Sequence, residues 1–175
     1  NKAMAFASDI RFTPLVGYGY SEQEIQFTDG VLEEPPLGPF PGLNSEFDPE
    51  WLGGFLGFDG QFRITNTIYV NANFRYWPWL EYSSVANWNL REDLAKPTSF
   101  TQEADGDGTD YEIGLEWYLD DDKSIGLSYR ENDFSSDPGT DRVITVDNEN
   151  IYTRLNGADW KSKAWTVSFQ WRFGG

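Results

Sequence analysis

Apolar and polar residues alternate with a period of two along most of this chain, and helical periodicity is nearly absent. The closing stretch "KAWTVSFQWRFGG" puts Trp165, Val167, Phe169, Trp171 and Phe173 on one face, with Thr166, Ser168, Gln170 and Arg172 on the other. Strict alternation over this length predicts a half-buried β-strand. Five more stretches read the same way. In "IRFTPLVGYGY" Ile10, Phe12, Pro14, Val16, Tyr18 and Tyr20 oppose Arg11, Thr13, Leu15, Gly17 and Gly19. In "LGGFLGFDGQFRI" Leu52, Leu56, Phe58, Phe62 and Ile64 oppose Gly57, Asp59, Gln61 and Arg63. In "IYVNANFRYW" Ile68, Val70, Ala72, Phe74 and Tyr76 oppose Tyr69, Asn71, Asn73 and Arg75. In "YEIGLEWYL" Tyr111, Ile113, Leu115, Trp117 and Leu119 oppose Glu112, Gly114, Glu116 and Tyr118. In "SIGLSYR" Ile125, Leu127 and Tyr129 oppose Gly126, Ser128 and Arg130. Six strands are expected.

The connections add a second pattern. "TN" (Thr65 and Asn66) and "DDDK" (Asp120 to Lys123) are short. The segments 29–50, 83–108 and 132–159 are long and acidic or rich in turn residues, and "VITVDNENIYTRL" in the third reads as a hairpin standing on the rim. Short and long connections alternate. This is the layout of an outer-membrane barrel, with tight periplasmic turns and long outer loops. The expected fold is therefore all-β: an antiparallel up-and-down transmembrane β-barrel forming a single domain over residues 1–175.

Composition decides which way the faces point. Aromatic residues make up 17% of the chain, including 8 Trp, yet the chain as a whole is hydrophilic. A soluble antiparallel sandwich also alternates, but its polar face meets bulk water and tends to carry Lys, Glu and Thr. Here the polar face holds Gly, Asn, Gln and Ser with Asp59, Arg63, Arg75, Glu112, Glu116, Arg130 and Arg172. Arg and carboxylates facing one another across a narrow lumen can pair and fill it, and Gly lets a curved wall close. The expectation is that these seven form a lumen network, with Arg63, Arg75, Arg130 and Arg172 pairing with Asp59, Glu112 and Glu116. The apolar face, including Phe58, Phe62, Val70, Phe74, Ile113, Leu115, Leu127, Val167 and Phe169, then meets lipid. Aromatics near strand ends, four rings of "YWPWLEY" (Tyr76 to Tyr82) among them, form the interfacial belts.

The net charge of −16 argues against a nucleic-acid partner. There is no Cys, hence no disulfide framework and no thiolate site. No cofactor motif is present. "EADGDGTDYE" places Asp105, Asp107 and Asp110 in what reads as a Gly-rich loop similar to the start of a calcium loop. It lacks the distal bidentate Glu, which favours a solvated acidic loop. Asp120 to Asp122 read as a solvated hairpin tip, and the Pro-rich 33–42 as a stiff surface loop.

The terminal alternation Trp165, Val167, Phe169, Trp171, Phe173 resembles the final strand by which bacterial outer-membrane proteins are recognised by the barrel-assembly machinery, except that Gly174 and Gly175 follow the aromatic. The layout as a whole resembles the last six strands of the omptins, ten-stranded outer-membrane proteases. The resemblance rests on "VGYGYSEQEIQFTDG" rising into a long loop, the hairpins "GQFRITNTIYVNANFRYWPWLEYSS" and "DYEIGLEWYLDDDKSIGLSYREND", and the Trp-bearing last strand. It implies location in the bacterial outer membrane. The activity does not carry over. Omptins need a His–Asp pair in the loop that here follows "EYSSV" and reads "ANWNLRED", and the chain contains no His. Without His as a base at neutral pH, the reading favours a non-catalytic barrel, a structural or interaction platform whose acidic outer loops meet other membrane or surface proteins. A narrow porin-like channel is one alternative. Another is an omptin-like protease or lipid-modifying enzyme with its active residues in other strands. Six strands are fewer than the eight or more of a single-chain barrel. With "NKAMAFAS" reading as the tail of a preceding strand, the expectation is the C-terminal portion of an 8–10-stranded barrel.

Overall fold

The computed structural model describes residues 10–33, 35, 38–39 and 41–173. Eleven strands occur in this range: β1 (Ile10–Glu22), β2 (Ile25–Thr28), β3 (Val31–Leu32), β4 (Gly38–Pro39), β5 (Asn44–Arg63), β6 (Ile68–Asn87), β7 (Phe100–Tyr118), β8 (Lys123–Ser136), β9 (Gly139–Ile144), β10 (Asn150–Leu155) and β11 (Asp159–Trp171). Nine of them belong to one antiparallel sheet, whose continuous path is β1-β5-β6-β7-β8-β11, every neighbour being the next long strand in the chain, with β2 paired to β5 and the β9–β10 pair joined to β7. The six alternating stretches correspond to these six strands. Among the described residues, the outer edges of β1 and β11 have no strand partner. "NKAMAFAS" and the closing Gly174 and Gly175 lie outside the described residues, as do four positions of the Pro-rich segment.

The two tight turns close by local side-chain chemistry. At the β5–β6 turn the Thr65 hydroxyl oxygen accepts from the backbone N–H of Thr67 (3.2 Å) and Ile68 (3.0 Å). At the β7–β8 turn Asp120 accepts from the N–H of Asp122 (3.0 Å) and from Lys123 Nζ (2.9 Å). These bonds replace ladder bonds that the reversing backbone cannot make. Asp120 to Asp122 thus form a hairpin tip, and the Lys123 ammonium beside Asp120 holds that carboxyl below its ordinary range.

At the other end the strands run far beyond what a bilayer requires. A tilted strand crosses with about 9–11 residues, whereas β5 and β6 have 20 each and β7 has 19. This corrects the expected loops: 44–50, 83–87, 100–108 and 132–136 are strand, and the last strand already begins at Asp159. Their sequence hides it because the apolar face that marks a strand in lipid is not needed on a strand standing in water. The expected rim hairpin is present as β9 and β10, and β9 pairs with the start of β7 through Phe100↔Val143 to Glu103↔Thr140.

One irregularity reorients a face. Between β5 and β6 the register passes from Leu56↔Tyr76 to Gly54↔Trp79, and between β6 and β7 from Trp77↔Gly108 to Leu80↔Gly106. β6 therefore carries one extra residue at Trp77–Pro78–Trp79, a β-bulge at the kind of site where Pro is tolerated within a sheet. Below it the outward residues are even-numbered, ending at Tyr76. Above it they are odd-numbered, starting with Trp79. Leu80 and Tyr82 turn inward as a result and are buried beside Trp77. The belt expected from the rings of "YWPWLEY" is thereby corrected: Tyr76 and Trp79 point outward, Trp77 and Tyr82 inward.

Candidate functional site: an inner wall and an acidic head

The two faces of the sheet separate cleanly in its lower half. Phe62, Phe74, Ile113, Leu115, Leu127, Val167 and Phe169 are all exposed on the outer face. Phe58, half-buried, lies between the Phe12 and Phe74 rings at 5.2 and 5.9 Å, and Val70 is half-buried too. Rings bracket this band: Trp117 and Trp171 below, Tyr18, Tyr76, Trp79, Tyr111 and Trp165 above, all exposed. The upper belt marks the change of solvent. The hydroxyls of Tyr111 (3.0 Å) and Tyr129 (2.6 Å) donate to Glu131, and Lys161 bridges Glu131 (2.9 Å) and Asp133 (2.6 Å). One step above the rings, the outer face has become charged.

The concave face holds an open cavity of about 420 Å³, lined mainly by polar residues. Its lining includes Arg11 of β1 and Gln170 of β11, so residues of both edge strands look into the same space. Asp59, Glu112 and Glu116 line it. The Asn73 amide donates to Asp59, and the Ser124 hydroxyl donates to Glu116 (2.9 Å). Arg172 sits lower, beside the two turns, together with Arg11, Tyr69, Tyr118 and Asp121. Arg63 is the last residue of β5.

The ion pairs differ from the expected ones. Arg75 and Arg130 do not take Asp59, Glu112 or Glu116 as partners. They converge on Asp110, at 3.3 and 2.7 Å, and its side chain is only 4% exposed. Asp110 follows the even-numbered inward phase of Glu112 and Glu116, and that parity was the signal that could have found it. Asp105 and Asp107 have the opposite parity and lie exposed on the outer face. The three aspartates of the calcium-like motif therefore stand on a strand and do not meet. No group of three or more carboxylates able to hold a metal occurs among the described residues.

Above Asp110 the interior is aromatic, which the alternation did not predict. Trp51, Trp77, Leu80, Tyr82 and Phe134 form the buried core, with Phe55 and Trp160 packed against it. Trp51 meets Tyr82 at 4.8 Å and Phe134 at 5.8 Å, Phe55 meets Trp77 at 4.8 Å, and Phe134 meets Trp160 at 5.1 Å. The inward glycines of β1 make room for these rings. A Cβ on Gly17 would lie 2.5 Å from the Phe55 ring, and one on Gly19 2.6 Å from the Trp77 ring. The Arg75 guanidinium lies over Phe55, 5.4 Å from its centroid, joining the ionic layer to the aromatic one.

Beyond this core the strands and connections form a head outside the membrane. The described residues of 21–50, 81–109 and 131–163 hold 20 of the 29 carboxylates and 6 of the 13 Lys and Arg, so nearly all of the net charge of −16 resides in them. The connections are stapled together. Asn89 accepts from Asn44 N–H (2.9 Å) and the Ser45 hydroxyl (3.1 Å) and donates to the Gly42 carbonyl (2.6 Å). Lys96 donates to the carbonyls of Trp88 and Arg91, and Arg91 makes a two-pronged bond to Asp93 at 2.8 and 2.7 Å. That guanidinium holds the Asp93 carboxyl down to about 2. The same loop joins the rim hairpin through a Leu94↔Thr145 bridge and the bonds Ala95 N–H to Ile144 (2.9 Å) and Val146 N–H to Asp93 (3.0 Å).

An up-and-down antiparallel sheet with an apolar belted exterior, a polar concave face and long connections at one end only defines a β-barrel protein of the bacterial outer membrane. The chain matches the solved structure of the outer membrane protease OmpT from Escherichia coli with a TM-score of 0.73 at 15% identity, over 94% of this chain and 58% of that one. At that identity the likeness is one of fold, and the chain spans a little over half of the OmpT length. The chain belongs to the family Pom, Protochlamydia outer membrane protein, whose family model matches residues 3–173. No curated protein sequence matches it.

Proposed function

We propose that this protein is a non-catalytic outer-membrane barrel that works as an interaction platform through its acidic outer head, the described chain forming one domain of six spanning strands. The observation that carries this reading is the concentration of nearly all of the net charge in three regions held together by side-chain and backbone hydrogen bonds. A pre-organised surface of one sign attracts partners of the other and loses little entropy when they bind. The exposed apolar band supports contact with outer-membrane lipid. Trp165, Val167, Phe169 and Trp171 on one face of β11, with Phe173 just beyond it, support recognition by the barrel-assembly machinery. The absence of His from this chain supports the non-catalytic reading over an omptin-like or lipid-modifying one.

A narrow porin-like channel is the second reading, favoured by the polar cavity on the concave face. The aromatic layer directly above the ionic cluster favours the platform, because it narrows the path that ions would need. Planar-bilayer recording on the intact protein purified from outer membranes decides between them. The platform predicts small or no conductance. Large, stable single-channel steps would overturn it in favour of the channel.

A further inference from the structure

The head carries one feature that its charge does not explain. At its tip, Phe27, Leu43, Ser45, Trp88, Leu90 and Arg91 line an open cavity of about 340 Å³. Phe27, Trp88 and Leu90 remain 48%, 46% and 43% exposed. Trp88 continues inward to Phe100 (6.1 Å) and Phe100 to Phe47 (6.2 Å), so the cavity is the open end of an aromatic row. Its walls are fixed: Asn89, between Trp88 and Leu90, is the residue bonded to Gly42, Asn44 and Ser45, and the Trp88 N–H donates to Ser99 Oγ (2.9 Å). Glu92 and Asp93 follow the lining residue Arg91 directly, whereas Glu46, next to Ser45 on β5, faces the other side of that strand. Asp93 is taken by Arg91, whereas the Glu92 side chain makes no bond to either of the two cations nearby, Arg91 and Lys96, both of which point to the loop itself.

Building on the platform reading, we propose that this cavity is the docking site for a basic peptide segment that inserts one large apolar side chain, with its flanking Lys or Arg drawn by the net negative charge of the head. Charge selects the occupant. A second copy of this chain would bring another strongly acidic head, and a phosphate-rich lipid headgroup or nucleic acid would be repelled in the same way. A cation is attracted from a distance, and a pre-formed apolar pocket inside a charged rim is the usual anatomy of an anchor site. The cavity suits one aromatic or branched side chain rather than a whole helix face.

The test uses the intact protein in detergent and three short synthetic peptides: Lys/Gly with one central Trp, the same with Ala for Trp, and the Trp peptide with Asp in place of every Lys. Binding is read by fluorescence anisotropy at about 20 mM and about 300 mM salt, on either side of strong screening. The Lys/Trp peptide should bind about tenfold tighter than the Lys/Ala peptide at both salts. The Asp/Trp peptide should not bind. Phe27→Ser and Leu90→Ser should each remove the Trp advantage. Both side chains are half exposed, so these variants should fold, which unchanged heat-dependent gel migration checks. Glu92→Gln should weaken both Lys peptides and leave the Trp advantage intact. Equal binding of the Trp and Ala peptides would overturn the pocket proposal while leaving the acidic platform standing. Absence of binding by either Lys peptide at low salt would overturn the platform reading as well. Self-association that Phe27→Ser abolishes would assign the pocket to a second copy and overturn the basic-peptide proposal.

Discussion

The lower and upper halves of β7 and β8 are built from the same continuous strands, yet their chemistry is inverted. Along the outer face of β7 the residues run from Trp117, Leu115, Ile113 and Tyr111 to Asp107, Asp105 and Glu103. On β8 they run from Ile125, Leu127 and Tyr129 to Glu131 and Asp133. On the inner face the order is reversed: Ser124, Ser128, Arg130 and Asn132 give way to Phe134. Pleat and phase do not change along these two strands. What changes is the solvent outside, and the side chains follow it. Where hydrocarbon surrounds the wall, the apolar face must be outward and the interior can be polar. Where water surrounds it, the strands need a core of their own, and the aromatic cluster supplies it.

The largest expected effect lies in that core. Trp77→Ala should destabilise the head by about 3–5 kcal/mol, through lost burial and a residual cavity among Phe55, Phe134 and Leu80. Urea unfolding in detergent should show it, accompanied by faster protease cleavage in 88–99 while the band near Leu115 stays protected. Simultaneous loss of both halves would break the comparison, since it would make the two one cooperative unit.

Leu115→Arg and Asp107→Arg sharpen it directly, because the two positions share a strand and a face and differ only in surroundings. The first should cost about 2–4 kcal/mol near the midplane, the second no more than about 0.5 kcal/mol. Refolding free energies in lipid vesicles measure both, and equal costs would mean that the bilayer reaches as high as Asp107.

Asp110→Asn probes the layer where the two regimes meet. It leaves Arg75 and Arg130 facing each other with no carboxylate. The expected cost is about 1–3 kcal/mol, below that of a fully buried pair because the guanidinium side chains remain 31% and 46% exposed. The same unfolding assay checks it, and restoration by a further Arg130→Gln change would attribute the loss to the unpaired charge.

The smallest effect is at the surface of the head. Asp93 is depressed by Arg91 to about 2. Its pairing is therefore fully present above the ordinary aspartate range and is lost only as pH falls through about 2. Carboxyl NMR should place its midpoint below the ordinary aspartate range, and Arg91→Gln should raise it. A midpoint already in that range would mean that the loop over 88–99 is not stapled as described.

Sequence alone determined the strands that meet lipid. A wall between hydrocarbon and a polar interior must alternate, and residues such as Ile113, Leu115 and Trp117 cannot be mistaken for anything else once Glu112, Gly114 and Glu116 lie between them. It likewise determined the up-and-down order, the two tight turns and the inward phase of Arg75, Glu112 and Arg130. It did not reveal the upper halves of the strands, because in water a strand needs no outward apolar run, and acidic stretches such as "EADGDGTD" read as loop. Only the tertiary structure decided that Arg75 and Arg130 share Asp110, since partner choice depends on cross-strand register. The bulge at Trp77–Pro78–Trp79, too, shows itself only against the neighbouring strands. One extra residue there sends Trp79 out and Leu80 and Tyr82 in, and no period counted along β6 alone can tell a reader that its phase has changed.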